Sequence, residues 1–377
     1  MIDSINIKNY RNLKEINLGS LRRINLITGK NNTGKSTLLE AIAIYANKGD
    51  LGFIYQLLAN RGEDFRSSES NKNSLESNVK ALSSLFTNRV VGFDKSNVIS
   101  IGDTENTLFE ENKSTEKSIS LRFVNYFDEM QKDNQGTFSG RRRVIVENDI
   151  EKLLGNYKIG LEIKANSSSY ILPLDEDKPY RLGFKYLVNT ERIEFIRTRN
   201  IDRNVNGRLW DNITLTEKEI YVIEALKIIE PNTEGIAFKE ESPRERNAYI
   251  KLSNNDIVVP LRSMGDGINR ILTIILALVN SDGGYLLIDE FENGLHHTVQ
   301  VKLWEIIFKL SQLLKIQVFV STHSEDCIMG FENILNSLEN SKEGKLIRLE
   351  NDKGVIKQVE FDAKELKIAN DNDIEIR

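Results

Sequence analysis

The chain has 377 residues, with 51 Lys and Arg against 56 Asp and Glu, a formal net charge of −5, 40% hydrophobic residues and one cysteine. Such a composition describes an ordinary globular protein of two domains, or of one large α/β domain with insertions, and excludes a fibrous or disordered chain. The longest apolar stretch, Ile271 to Val279 with only Thr273 inside, is far shorter than the roughly 20 residues of a membrane helix, and the N-terminus MIDSINIKNYRNLK lacks an apolar leader, so a cytoplasmic protein without membrane contact is expected.

In chain order, an amphipathic strand is predicted over Ile2 to Lys8, then a strand over Arg23 to Thr28 that leads through a glycine loop into the helix of GKNNTGKSTLLEAIAIYA. Gly49 to about Arg89 reads as helical and increasingly polar, and Asp103 to Ser118 as an exposed linker. Between Ser120 and Thr198 the segments SISLRFVNYF, RRRVIVE, YKIGLEIKA, SYILPL and RIEFIRT alternate apolar with polar residues, the pattern of a half-buried antiparallel sheet. Thr216 to Ile229 has helical spacing and stops before Pro231. After short strands in GIAFKE, AYIKLS and DIVVP come a helix from Gly267 to Val279, the strand of YLLIDE, a helix from His296 to Leu314, the strand of IQVFVSTH and a helix after Ser324. The tail holds two strands, KLIRLE and VIKQVEF, and an acidic end. The runs Tyr285–Ile288 and Ile316–Val320 are nearly all apolar, as buried parallel strands are. The two ends of the chain therefore read as halves of one parallel α/β core, with the middle inserted between them.

Gly29, Lys30, Asn31, Asn32, Thr33, Gly34, Lys35 and Ser36 spell G-x-x-x-x-G-K-S. In such a P-loop the backbone N–H groups wrap phosphates, the following helix aims its positive end at them, Lys35 reaches the β- and γ-phosphates and the Ser36 hydroxyl binds Mg²⁺. The strand of YLLIDE ends in Asp289, suited to Mg²⁺ in the Walker B role, and Glu290, placed to orient or deprotonate the attacking water. Taken alone, such acids often just cap the next helix. IQVFVSTH ends in His323 at another strand terminus, where a histidine holds the γ-phosphate or, with Glu290, the water; a lone histidine there is usually structural. In LRSMGDGINRIL, Ser263, Gly265 and Gly267 precede a helix and form a second anion cradle without a lysine. Its plain alternative is a glycine turn before a core helix. One nucleotide does not need two cradles from one subunit, but in a head-to-tail dimer this one closes over the γ-phosphate held by the partner's P-loop. Adjacent His296 and His297, after Asn293-Gly294 at a helix start, read as surface or dimer-seam residues rather than metal ligands, and Cys327 as a buried small hydrophobe.

In this order, the P-loop, the S-x-G-x-G signature, the Walker B strand with its adjoining Glu and the post-strand His resemble the ABC-type ATPases of the RecF/SMC branch. IKNYRNLKEINL, DEFENGLHH, VFVSTHSEDCI and the ending IEIR resemble the AAA-like ATPases related to the OLD (overcoming-lysogenisation-defect) proteins. The resemblance implies an α/β fold: a P-loop ABC-type ATPase core with a mainly parallel sheet, built from residues 1–48 and 256–377, a helical and polar insertion over 49–118, and an antiparallel β-rich subdomain over 119–255 that carries the helix 216–229. It implies ATP and Mg²⁺ as cofactors, ATP contacts from Gly29 through Thr37, Ser36 and Asp289 as metal ligands, Glu290 as catalytic base and His323 as switch histidine. It further implies Ser263 and Gly265 acting in trans and Arg11 of N-Y-R-N at the nucleotide. The signature reads SMGDG rather than LSGGQ, FENGLHH replaces SALD, and Gln56 is a Q-loop candidate only by elimination.

OLD nucleases continue into a Toprim domain, for which the residues after His323 leave no room; no nuclease activity is expected in this chain. Stand-alone ATPases of this kind resemble the ATPase subunits of two-component anti-phage systems such as PARIS and Septu. The expected role is a nucleotide-gated homodimer or higher oligomer that controls a separate, nuclease-like effector. The alternative is a RecF-like DNA-binding repair ATPase, with DNA met by Arg141-Arg142-Arg143 in a polar loop and by Arg197 and Arg199. A transporter ATPase and a scaffold with negligible turnover are more distant readings.

Overall fold

The computed structural model describes residues 1–63, 74–94, 96–103, 118–132, 138–145, 157–165, 168–175, 192–197, 205–242, 245–253, 258–337, 340–372 and 376. The chain opens with β1 (Ile5–Tyr10), β2 (Leu13–Leu18) and β3 (Ile24–Thr28), followed by the helices α1 (Lys35–Ala46), α2 (Leu51–Asn60) and α3 (Ser74–Ser83). β4 (Ile99–Gly102), β5 (Ser118–Lys132), β6 (Phe138–Val144), β7 (Lys158–Ala165) and β8 (Ser168–Pro173) join β1 and β2 in a seven-stranded antiparallel sheet ordered β2-β1-β4-β5-β7-β8, with β6 paired to the far part of β5. The first strand thus starts and ends later than the Ile2 to Lys8 of the sequence pattern.

β9 (Ile193–Ile196), α4 (Val205–Asp211) and α5 (Lys218–Ile229) come next, and β10 (Thr233–Ser242), β11 (Glu245–Leu252) and β12 (Val259–Pro260) form a small antiparallel sheet. A 3-10 turn over Leu261–Met264 leads into α6 (Asp266–Asn280), then β13 (Tyr285–Ile288), α7 (His297–Leu313), β14 (Gln317–Ser321), α8 (Glu325–Leu335), β15 (Gly344–Asp352), β16 (Val355–Phe361) and α9 (Ala363–Asp371).

The central sheet runs β16-β15-β3-β14-β13-β9, with every neighbouring pair parallel except the β15–β16 hairpin. Both faces of its middle strands are apolar, and successive side chains enter opposite cores, as the two-residue period of a strand requires. Ile24, Leu26, Leu286, Ile288, Val318 and Val320 pack with the α6 and α7 side, while Ile27, Tyr285, Leu287 and Phe319 pack with α1 and the antiparallel sheet. α1 is enclosed between the two sheets and is buried from Thr37 through Ile44. The α/β class with a mainly parallel P-loop core stands as the sequence implied.

Three readings are corrected. RIEFIRT does not belong to the antiparallel sheet: β9 pairs parallel with β13 and forms the edge of the central sheet. Its alternation reflects an edge strand with one flank near solvent rather than a half-buried antiparallel strand. Arg141-Arg142-Arg143 lie on β6, paired with Glu129, Asp128 and Phe127 of β5, not in a loop. The tail adds α9, nucleated by a capping box in which Asp362 accepts from the Glu365 N–H and Glu365 returns to the Asp362 N–H. The expected linker falls, from 104 to 117, outside the described residues, as does Arg199.

Candidate nucleotide site

Three neighbouring strands, β3, β14 and β13, end on one edge of the sheet, and each delivers part of the site there. The P-loop follows β3. Gly29 stands at φ 138°, and a Cβ on it would lie 2.4 Å from the carbonyl oxygen of Leu349, so a side chain is excluded by position and by backbone. Gly34 caps α1 at φ 92°. α1 has no side-chain cap and no acid in its first turn, which leaves its first N–H groups and its positive end to an incoming anion. Lys35 Nζ donates to the carbonyls of Gly29 (2.6 Å) and Lys30 (3.0 Å), bridging the loop from inside. Burial holds the Lys35 ammonium below its ordinary range, against the pull of Glu292, Asp289 and Glu290. A phosphate in the loop would take over the acceptor role of those carbonyls and favour the charged form.

At the other strand ends, Ser36 Oγ donates to Asp289 Oδ1 at 3.0 Å, Ser321 Oγ donates to the same oxygen at 2.5 Å, and the Glu290 N–H donates to Ser321 Oγ at 3.0 Å. One carboxylate oxygen therefore ties α1, β13 and β14 together. Ser36 and Asp289 fit Mg²⁺: they are hard oxygen donors set side by side, the type of ligand that this ion takes at about 2.0–2.1 Å in an octahedron. Once bound there, Mg²⁺ would neutralise charge on the phosphates. Glu290 sits at φ 49°, a left-handed conformation uncommon for such a residue, and two hydrogen bonds fix the turn around it. Buried Arg270 of α6 donates through Nη2 to the carbonyls of Asp289 (3.1 Å) and Glu290 (3.2 Å), and through Nη1 to that of Arg197 (3.3 Å) at the end of β9.

Glu292 organises the histidine. Its Oε1 accepts from the His323 N–H and pairs with His323 Nδ1, both at 2.9 Å, and its Oε2 accepts from Thr322 Oγ1 at 2.7 Å. The His323 ring is half exposed, held from behind by a mostly buried carboxylate. This orients the other ring nitrogen for contact with a ligand or water.

The structure thus gathers the P-loop, Ser36, Asp289, Glu290 and His323. Ser263 and Gly265 are exposed at the start of α6, where Ser263 Oγ turns back to the Pro260 carbonyl (2.7 Å) and Gly265 caps the helix at φ 100°. Arg11 is 9% exposed and held by Glu40 of α1 (3.2 Å) and by Glu63 (2.8 Å). Its neighbours Asn12 and Leu13 lie beside the loop, each 3.2 Å from where a Gly34 Cβ would stand. His296 and His297 are exposed at the start of α7 with rings 4.1 Å apart, and no metal-binding cluster of His, Cys, Asp or Glu occurs among the described residues. Arg142 is engaged by Asp128 (3.7 Å) and by the Ile171 carbonyl (3.3 Å). Among the described residues, no helix is long and apolar enough to cross a membrane.

Sequence reasoning passed over Glu292, Arg270 and Ser321. The signals were a second acid two positions after Glu290, a cation at the head of the apolar helix ILTIILALV, and a hydroxyl at the last position of a buried strand.

The chain is similar to several known proteins. An "ATP/GTP phosphatase" of Helicobacter pylori is 24% identical over 366 residues, 93% of each chain. "Uncharacterized protein MJECL10" of Methanocaldococcus jannaschii is 51% identical over 45 residues, 12% of this chain and 20% of its own. Among solved structures, an Smc head bound to the C-winged helix domain of ScpA is similar with a TM-score of 0.49 at 12% identity, covering 96% of this chain and 97% of that one. A Pyrococcus furiosus Smc head domain bound to the C-terminal domain of ScpA gives 0.48 at 9%, covering 99% of both. The family model described as "AAA domain, putative AbiEii toxin, Type IV TA system" matches residues 24–328, a span that holds the P-loop, the signature, Asp289, Glu290 and His323, and the chain belongs to this family of AAA ATPase domains.

Proposed function

We propose that this protein is a Mg²⁺-dependent ATPase that works as a nucleotide-gated homodimer or higher oligomer and controls a separate effector protein, in the setting of anti-phage defence. The observation that carries the ATPase reading is the Asp289 carboxylate joined at once to Ser36 and Ser321. A single group there reports on the P-loop helix and on two other strands. Lys35 and the N-terminus of α1 bind the phosphates, Ser36 and Asp289 hold the metal, Glu290 accepts a proton from the attacking water, and His323, steadied by Glu292, holds that water or the γ-phosphate.

Gating follows from the exposed signature. Ser263 and Gly265 lie open at the head of a helix, and a second copy's nucleotide is the anion that such a surface suits. ATP sandwiched between copies favours the closed assembly, and hydrolysis reopens it. The relative named as an ATP/GTP phosphatase supports turnover, and the toxin–antitoxin wording of the family description is in keeping with a two-component role. The anti-phage setting rests on the sequence resemblance.

The test is light-scattering mass of Glu290→Gln with and without ATP. A mass that rises with ATP, and falls back when Ser263→Arg is added, is the expected result. An unchanged mass overturns gating, and absence of phosphate release by the wild type overturns the ATPase itself. Phosphate release stimulated steeply by DNA at low salt would favour the RecF-like alternative.

A further inference from the structure

A cleft of about 650 Å³ runs along β9, the edge strand of the central sheet. One wall is Asn47, Phe53, Gln56 and Asn60 from the end of α1 and from α2; the other is formed by α4 and by Thr273 and Ala277 of α6; the floor is Ile193 to Arg197. The floor is an open edge. The Arg192 and Ile196 carbonyls accept from Tyr285 and Asp289 on the β13 side, at 2.8 Å each. Alternation along the strand therefore turns the N–H and C=O of Phe195 outward, and β13 is the one strand paired with β9 among the described residues.

The two arginines of the cleft are paired unequally. Arg208 faces Glu194 at 3.6 Å. Arg197 stacks its guanidinium 4.6 Å from the centroid of the Phe195 ring and makes no ion pair with a carboxylate among the described residues. A half-buried guanidinium that makes no ion pair among the described residues, with Glu40 and Asp289 acting on it only from beyond contact, lies beside a strand edge that no other described strand covers; between two helical walls this has the requirements of β-strand addition: backbone groups for affinity and a side-chain pocket for specificity. The edge left open among the described residues favours a peptide over a nucleic acid, and two arginines, Arg197 and Arg208, against one carboxylate, Glu194, in the described lining favour an acidic one.

We propose that this cleft binds an extended segment of a partner protein that carries an acidic residue, adding a strand to β9 and setting its carboxylate against Arg197. This deepens the effector reading above and rests on it. It also supplies a route to the catalytic turn, because one guanidinium, that of Arg270, holds the Arg197 carbonyl together with those of Asp289 and Glu290. A strand docked on β9 biases the position of Arg197 and thereby that of Glu290.

The experiment is a selection of random linear heptapeptides displayed on phage against the purified full chain without nucleotide, followed by anisotropy measurements with the labelled consensus peptide. The expected result is an alternating, β-branched consensus with one Asp or Glu. Arg197→Gln or peptide Asp→Asn should each weaken binding at least tenfold, both together no more than either alone, and the peptide should change ATP turnover at least twofold. If Arg197→Gln does not fold, Arg197→Lys with the same peptide series replaces it, with retained binding that still depends on the peptide carboxylate. No consensus, binding indifferent to Arg197→Gln, binding by Arg197→Lys indifferent to the peptide carboxylate, or unchanged turnover overturns the proposal. A labelled oligo-dT that binds in an Arg197-dependent way while peptides do not also overturns it. Because peptide binding is measured without nucleotide, its failure leaves the ATP-driven assembly of Glu290→Gln standing, and the reverse holds as well.

Discussion

Ser321 gives its hydroxyl proton to the Asp289 carboxylate and accepts the N–H of Glu290 on the same oxygen. The side chain that orients the proposed metal ligand thus also fixes the backbone of the proposed catalytic base. A hydrogen bond to a charged group contributes about 1.5–3 kcal/mol, so Ser321→Ala should lower kcat by roughly 10- to 100-fold with little change in KM for ATP. Steady-state phosphate release checks this, and an equal loss confined to KM would contradict it.

Glu292 and His323 should behave as one unit. Each of Glu292→Ala and His323→Ala is expected to reduce kcat about tenfold, and the double variant hardly further, giving a coupling energy of about 1–2 kcal/mol. Additive losses in the double-mutant cycle would show that the carboxylate does not act through the imidazole.

Arg270 is a positioning residue, acting through the backbone of Asp289 and Glu290. Its burial lowers the guanidinium pKa below the usual arginine range, partly offset by Asp289, Glu290 and Glu292. Arg270→Met removes a donor from three carbonyls, of which that of Glu290 keeps the Asn293 N–H, and kcat should fall at least tenfold while ATP affinity stays within about threefold. Arg270→Lys should recover part of kcat. A lowered melting temperature with normal kcat would mark a purely structural role.

Lys35→Ala should remove measurable ATP binding in calorimetry, because it deletes the cation that bridges the loop. Retention of micromolar affinity would place the nucleotide elsewhere.

Cys327 is fully buried, and that burial pushes its thiol far above the ordinary range. The thiolate, which is the reactive form, is therefore scarce in the folded protein up to pH 9. A thiol reagent such as DTNB should fail to titrate it in native protein at pH 8 or 9 and should report one thiol in guanidinium chloride. Rapid native reaction would place Cys327 at the surface.

The P-loop, Asp289, Glu290 and His323 could be read from the sequence because each follows a nearly uninterrupted apolar strand, and burial on both faces leaves that mark. β9 hid its membership because an edge strand keeps polar residues such as Arg192 and Glu194 on its flank, which mimics the alternation of a solvated sheet. The arginines of β6 looked like a loop because this strand pairs only with the far part of β5. α9 was announced by Asp362 and Glu365 at capping-box spacing, a signal hidden in an acidic tail. Arg270 could not be found by pattern: its role lies in backbone carbonyls contributed by two other strands, which no side-chain spacing records.

The strand that carries the P-loop has both of its neighbours far downstream, Ile24 standing beside Val318 on one side and Gly344 on the other. A chain emerging from the ribosome must therefore hold its nucleotide loop without its sheet until the residues around Val318 and Gly344 have been synthesised. Contacts of such long sequence separation fold slowly. Acquisition of ATP binding is accordingly a late event in maturation, and a product truncated or stalled before β14 should be unable to take up nucleotide.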